Sequence, residues 1–107
     1  MGQDQSLNPV RQFRRRLERD LPVTQVILFG SQARGTADKD SDWDVIIVSP
    51  AFQDVSFPDR IRRMSRYWEY GRGNPFEPLP YTPEEFERLS QQPTIVREAL
   101  REGCVIE

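Results

Sequence analysis

Two short stretches of the chain carry residue types suited to phosphate and metal chemistry. The first is Gly30-Ser31-Gln32-Ala33-Arg34-Gly35, reached through the apolar run Val26-Ile27-Leu28-Phe29. Phosphates bind where successive backbone N–H groups converge and no side chain intrudes. A glycine admits the close approach, and the start of a helix adds a favourable dipole. Ser31 adds a hydroxyl donor, and Arg34, one turn further, can offer phosphate oxygens a planar fork. The second stretch begins after ten intervening residues: Asp42-Trp43-Asp44, leading into Val45-Ile46-Ile47-Val48. Residues i and i+2 of a strand share a face, so the two carboxylates stand together while Trp43 turns the other way into packing. Two like charges so close repel unless a proton or a cation intervenes. Mg²⁺ takes oxygen ligands and commonly bridges one or two carboxylates to substrate phosphates. Taken singly, each stretch also has a plainer reading, an ordinary tight turn for Gly30-Ser31 and a solvated acidic strand end for Asp42 and Asp44. In this order they suit a phosphate cradle facing a divalent-cation site. Asp38 and Asp40 read as solvated loop acids.

The elements that must position these residues follow from periodicity and punctuation. Asn8-Pro9 reads as a helix start, N-cap then first helical position. Val10, Phe13, Leu17 and Leu21 make its apolar face, and Pro22 helps to end it. Val23 to Phe29 predicts a buried strand, Gly30 to Gly35 a turn or two of helix, Thr36 to Ser41 a polar loop, and Asp42 to Val48 a second strand. A helix is expected from Phe57-Pro58-Asp59, with Ile61, Met64 and Trp68 as its stripe and Gly71-Arg72-Gly73 as its end. Phe76 to Tyr81 predicts a third strand. Pro75, Pro78 and Pro80 confine it to an edge or distort it. Thr82-Pro83-Glu84-Glu85 has the capping-box pattern. Thr94 to Arg101 predicts a last helix, capped by Gly103, and Cys104-Val105-Ile106 a closing strand. The alternation describes an α+β domain, a two-layer α/β arrangement with a mixed sheet of three or four strands and helices packed on it.

Composition narrows the function classes. A chain of 107 residues is expected to form one domain over 1–107, with 1–7 disordered. No apolar run approaches the ~20 residues of a membrane span. The first residues lack the basic and apolar regions of a signal peptide, so the expected compartment is the cytoplasm. The single Cys104 leaves no internal disulfide and reads as a small core residue. Histidine is absent, so general acid–base work falls to carboxylates, water or the substrate. Fourteen of the 15 basic residues are arginine. They cluster at Arg11, Arg14, Arg15, Arg16 and Arg19, and at Arg60, Arg62, Arg63 and Arg66. These clusters read either as solvated helix faces or as an interface. A net charge of −2 and the lack of a basic run interleaved with aromatics argue against direct nucleic-acid binding. Tyr67, Trp68 and Tyr70 read as core and interface rather than as a stacking platform.

The Gly30-Ser31 turn, the ten-residue interval and Asp42-Trp43-Asp44 before an apolar strand resemble the DNA polymerase β-like nucleotidyltransferase superfamily. Within it they resemble the minimal nucleotidyltransferases of bacteria and archaea. The likeness is close over residues 26–48. It extends more loosely through Tyr81-Thr82-Pro83-Glu84-Glu85-Phe86 to Glu102-Gly103-Cys104-Val105-Ile106.

The resemblance implies the polymerase β-like fold and a third carboxylate on a later strand, just before Leu79-Pro80-Tyr81-Thr82, where this chain has Glu77. The usual residue there is aspartate, and the longer glutamate would shift a metal or a base. The resemblance further implies Mg²⁺-dependent transfer of a nucleoside monophosphate, AMP from ATP or the equivalent from another triphosphate, to a hydroxyl acceptor. Gly30, Ser31 and Arg34 would bind the nucleotide, and Asp42, Asp44 and Glu77 would be catalytic and hold two Mg²⁺. It also implies a small helical HEPN-type protein as partner in a toxin–antitoxin pair. The alternative is a catalytically weak or inactive nucleotide-binding antitoxin module that acts by forming a complex.

Overall fold

The computed structural model describes residues 2–36, 41–69 and 76–107. Asp38, Lys39, Asp40, Tyr70, Gly71-Arg72-Gly73 and Pro75, to which the sequence assigned roles, lie outside the described residues. In chain order the elements are α1 (Gly2–Glu18), β1 (Gln25–Phe29), α2 (Ser31–Arg34), β2 (Trp43–Val48), a 3₁₀ turn (Pro50–Phe52), α3 (Phe57–Ser65), β3 (Phe76–Tyr81), α4 (Pro83–Ser90), α5 (Ile95–Glu102) and β4 (Cys104–Val105). The strands form one mixed sheet in the order β3-β2-β1-β4. β1 is antiparallel to both β2 and β4, and β2 is parallel to β3.

Strand periodicity divides the core in two. One set of side chains, Val26, Leu28, Trp43, Val45 and Ile47, meets Val10, Phe13 and Leu17 of α1 and Met64 of α3. The alternate set, Ile27, Phe29, Ile46 and Val48, meets Val96 and Ala99 of α5, with Phe86 and Leu89 of α4 alongside. The sheet is mixed and four-stranded with helices packed on it, as expected of this α+β domain, and it carries them on both faces. The physical reason is that β1 and β2 are apolar at nearly every position, which suits burial on both sides.

Several boundaries have local causes. α1 begins at Gly2 rather than at Asn8 and runs through Pro9. A proline there forfeits one N–H···O=C bond, while Leu7 and Val10 on either side of it pack against the core. α3 is capped by the Ser56 hydroxyl, which accepts from the Asp59 N–H, and it ends at Ser65. Trp68 therefore lies beyond the helix and stacks on Phe76 at 4.4 Å, which fastens the chain after α3 to the start of β3. β3 is the edge strand that its prolines require. The capping box at Thr82 and Glu85 forms in both directions. Glu85 also receives the two-pronged guanidinium of Arg60 at 2.7 and 3.2 Å. Arg60 is only 6% exposed and donates to the carbonyls of Val55 and Pro80 as well, tying α3, β3 and α4 together.

Candidate active site

The candidate residues converge at one end of the sheet because of strand direction and register. β1 ends at Phe29, and Gly30 turns the chain into α2. The antiparallel register sets Phe29 opposite Asp44, so the turn that follows β1 lies beside the start of β2. The parallel register sets Asp44 opposite Glu77 at the start of β3. Asp44 and Glu77 therefore project from neighbouring strands, on the face covered further along by α4 and α5. Trp43, between the two aspartates, is buried against the α1/α3 layer as its parity requires.

Gly30 is the tightest point. Its φ of 77° and ψ of −159° form a backbone conformation essentially confined to glycine. A Cβ built there would fall well inside 3.0 Å of Asp44 Oδ2, a separation that real Cβ atoms essentially never show. The missing side chain is thus what lets the carboxylate lie against the turn. The N–H groups of Ala33 and Arg34 both donate to the Gly30 carbonyl, at 3.1 Å each, which closes the turn. No side chain caps the start of α2. Gln32 Nε2 donates to the Ser41 carbonyl at 3.3 Å, tying the turn to the residue before Asp42.

The electrostatics are those of crowded carboxylates. Burial raises the Asp44 carboxyl above the ordinary aspartate range, and the negative charges of Asp42 and Glu77 raise it further; Arg34 opposes them. Arg34 lies 3.8 Å from Glu102 at the end of α5, with both side chains about half exposed. Asp42 and Glu77 are exposed.

The six sequence-predicted residues fall in one region, but unevenly. Asp42, Glu77 and Arg34 are close enough to act on the charge of Asp44, and Gly30 abuts Asp44. Among the described residues, no group of three His, Cys, Asp or Glu side chains is drawn together closely enough to hold an ion. The donor chemistry suits Mg²⁺: burial and then the charges of Asp42 and Glu77 raise the Asp44 carboxyl, and a cation drawn in among these oxygens would relieve that repulsion.

Three participants were not legible in the sequence. Glu102 pairs with Arg34, Gln32 tethers the Ser41 carbonyl, and Gly103 lets α5 close onto β1. A Cβ at Gly103 would stand 2.8 Å from Ile27 Cγ2 and 2.9 Å from the Leu28 carbonyl, and closer still to the Ala99 carbonyl. It caps α5 as expected, its N–H donating to the Ala99 carbonyl at 2.7 Å, and since its φ of −85° is ordinary, what demands glycine here is the close approach. Only the glycine itself signalled this, because the partners are distant in sequence.

The domain is thus an α+β fold whose mixed sheet sets the Gly30-Ser31 turn against Asp44, with Glu77 on the parallel neighbour. The chain matches the nucleotidyltransferase domain family over residues 10–104 and belongs to that family. Among solved structures it is similar to a candidate nucleotidyltransferase from Sulfolobus solfataricus, with a TM-score of 0.66 and 22% identity, covering 96% of this chain and 80% of that one. It also shares fold with BolA1 from Arabidopsis thaliana, at a TM-score of 0.53 and 21% identity over 70% of this chain and 94% of that one. The BolA domain of Arabidopsis SufE1 gives a TM-score of 0.53 and 26% identity over 73% and 94% of the two chains. No curated protein matches the chain.

Proposed function

We propose that this chain is a Mg²⁺-dependent nucleotidyltransferase that moves a nucleoside monophosphate, AMP from ATP, onto a hydroxyl of a partner protein. Family membership supports the reaction class. The observation that carries the reading is the Gly30–Asp44 approach, where the turn and the carboxylate leave no room for a Cβ. A phosphate held by that turn would lie beside the carboxylate that shares its metal.

In this reading, the backbone at Gly30 and the Ser31 hydroxyl hold the β- and γ-phosphates, and Arg34 exchanges its exposed pairing with Glu102 for phosphate oxygens. Asp42, Asp44 and Glu77 would hold the metal, which supplies charge stabilisation on the phosphate oxygens. The acceptor oxygen attacks the α-phosphorus, the bond to pyrophosphate breaks, and Glu77, exposed at the edge strand, takes the acceptor proton. The small helical HEPN-type partner, a toxin–antitoxin role and a cytoplasmic setting belong to the same proposal.

The direct test is incubation with labelled ATP, Mg²⁺ and the protein encoded beside it, followed by mass spectrometry for an added nucleotide. Asp44→Ala should abolish the adduct while leaving the circular dichroism spectrum intact. Wild-type transfer by Asp44→Ala would sink the mechanism.

A second reading is favoured by the spread of the carboxylates and by glutamate at the third corner. In it the chain neutralises its partner by forming a complex, with little or no catalysis. ATP titration with and without Mg²⁺ separates the two, since an inert module shows no metal-dependent affinity.

A further inference from the structure

Charge is distributed unevenly between the two helical layers of this fold. The α4/α5 side bears the three site carboxylates, the exposed acids Glu84, Glu87 and Glu98, and the exposed Arg88, Arg97 and Arg101. The α1/α3 side bears both arginine clusters. Several of those arginines are occupied within the fold. Arg14 donates to the Ile106 carbonyl at 2.6 Å and pairs with Glu18 at 3.4 Å. Arg16 donates to the Tyr67 carbonyl at 2.9 Å and pairs with Glu69 at 3.3 Å. Arg60 is buried on Glu85. Arg62, Arg63 and Arg66 of the second cluster frame a surface groove of about 420 Å³ along α3, with Val55 and Tyr67 among its walls.

The two acids of the groove are already engaged. Asp59 receives Arg62, and Asp20 receives the Tyr67 hydroxyl, beside which Arg63 also lies. The Arg66 N–H donates to the Arg63 carbonyl, while its guanidinium makes no hydrogen bond or ion pair among the described residues and is exposed. The groove therefore retains positive charge that its own acids do not cancel. Arg62, Arg63 and Arg66 fall three and four residues apart, and Arg66 continues the helical geometry of α3 with φ −66° and ψ −24°. Side chains so spaced stand about 5–6 Å apart along one helix face. A guanidinium fork matches a carboxylate in two-pronged geometry.

We propose that this groove docks an acidic helix of a partner protein, with carboxylates three and four residues apart laid along α3. The carboxylate site lies on the opposite side of the sheet, so docking leaves the Gly30–Asp44 region open. A protein occupant is favoured over a nucleic acid for two reasons. The excess of positive charge is modest, three arginines against two aspartates, which suits a few carboxylates better than a continuous phosphate backbone, and the one ring in the groove, Tyr67, has its hydroxyl engaged and is half-buried, which makes it a poor platform for bases. The groove stands independently of the catalytic reading, because none of its residues belongs to the candidate site.

The test uses the full chain and three fluorescent probes in anisotropy titrations. One is a synthetic helical peptide with glutamates at alternating three- and four-residue spacings, another is the same peptide with lysine for glutamate, and the third is a 20-nucleotide uridine RNA. The glutamate peptide should bind, more weakly as salt rises, and the lysine peptide should not. Arg63→Glu with Arg66→Glu should weaken binding at least tenfold. Arg88→Glu with Arg97→Glu, an equal charge change on the other layer, should leave it within twofold. Arg66→Glu alone, at a fully solvated position, serves if the double variant does not fold. Equal losses in both double variants, no binding of the glutamate peptide, or tighter RNA binding that depends on Arg63 and Arg66 would each overturn the proposal.

Discussion

Replacing Gly30 by alanine tests whether the absent side chain is what lets the turn and Asp44 meet. Two costs are expected. The backbone, at φ 77° and ψ −159°, leaves the region open to other residues, which costs about 1–3 kcal/mol. The new Cβ also overlaps Asp44 Oδ2, well inside 3.0 Å. Because that oxygen ends a short side chain, it can swing away only in part, so the steric cost is shared between the site and stability. Gly35 is the matched control. It has the same φ of 77°, a left-handed ψ of 14°, and nothing within 4 Å of a built Cβ. Gly35→Ala should cost roughly 1–2 kcal/mol for backbone handedness alone. In a domain of this size each kcal/mol lowers Tm by roughly 4–8 °C, so both variants remain foldable and measurable. Thermal melts give stability, and calorimetric titration with ATP and Mg²⁺ gives affinity. Gly30→Ala should lose at least tenfold in ATP affinity and Gly35→Ala less than twofold. A double variant of Gly30→Ala with Asp44→Ala should be more stable than the sum of the two single effects predicts, because the overlap is gone. ATP affinity unchanged by Gly30→Ala, or strict additivity in that double variant, would refute the claim that the glycine exists to admit the carboxylate.

Other expectations follow from the same geometry. Arg60→Met should destabilise by about 3–5 kcal/mol in urea unfolding, because Glu85 keeps its partly buried charge without its partner. Arg60 holds the Glu85 carboxyl below its ordinary range. The stability from Glu85 is therefore fully present above the unfolded carboxylate pKa and is lost as pH falls through the lower folded value; Glu85→Gln should flatten that acid limb in melts taken from pH 7 to 3. Asp44 has the opposite sign: its folded pKa is raised, so its ionised form opposes folding above that value, and Asp44→Asn should raise Tm at pH 7 while abolishing nucleotide transfer. Gly103→Ala meets backbone carbonyls that cannot retreat, and should cost about 1–3 kcal/mol in unfolding experiments.

Much of this was legible in the sequence because it rests on local rules. Strand parity placed Asp42 and Asp44 on one face and Trp43 on the other, and the structure buries Trp43 in the α1/α3 layer accordingly. The prolines confined β3 to an edge, and Thr82 and Glu85 announced their capping box. The start of α1 was read too late, because local punctuation at Asn8-Pro9 was weighed without the packing of Leu7 and Val10. The end of α3 was read through Trp68, which keeps the helical spacing but belongs to the stack with Phe76 across the chain.

The sequence by itself determined the chemical inventory: a glycine and a hydroxyl after an apolar strand, two carboxylates of one parity, a third ahead of the last helices, and arginine as nearly the whole cationic stock. Tertiary structure decided what those residues face. Register sets Asp44 between the Gly30 turn and Glu77, helices on both sides of the sheet separate the carboxylate site from the arginine groove, and Glu102 is brought to Arg34 from the far end of the chain. These relations depend on strand order and on contacts between residues distant in sequence, which no local pattern of residue types encodes.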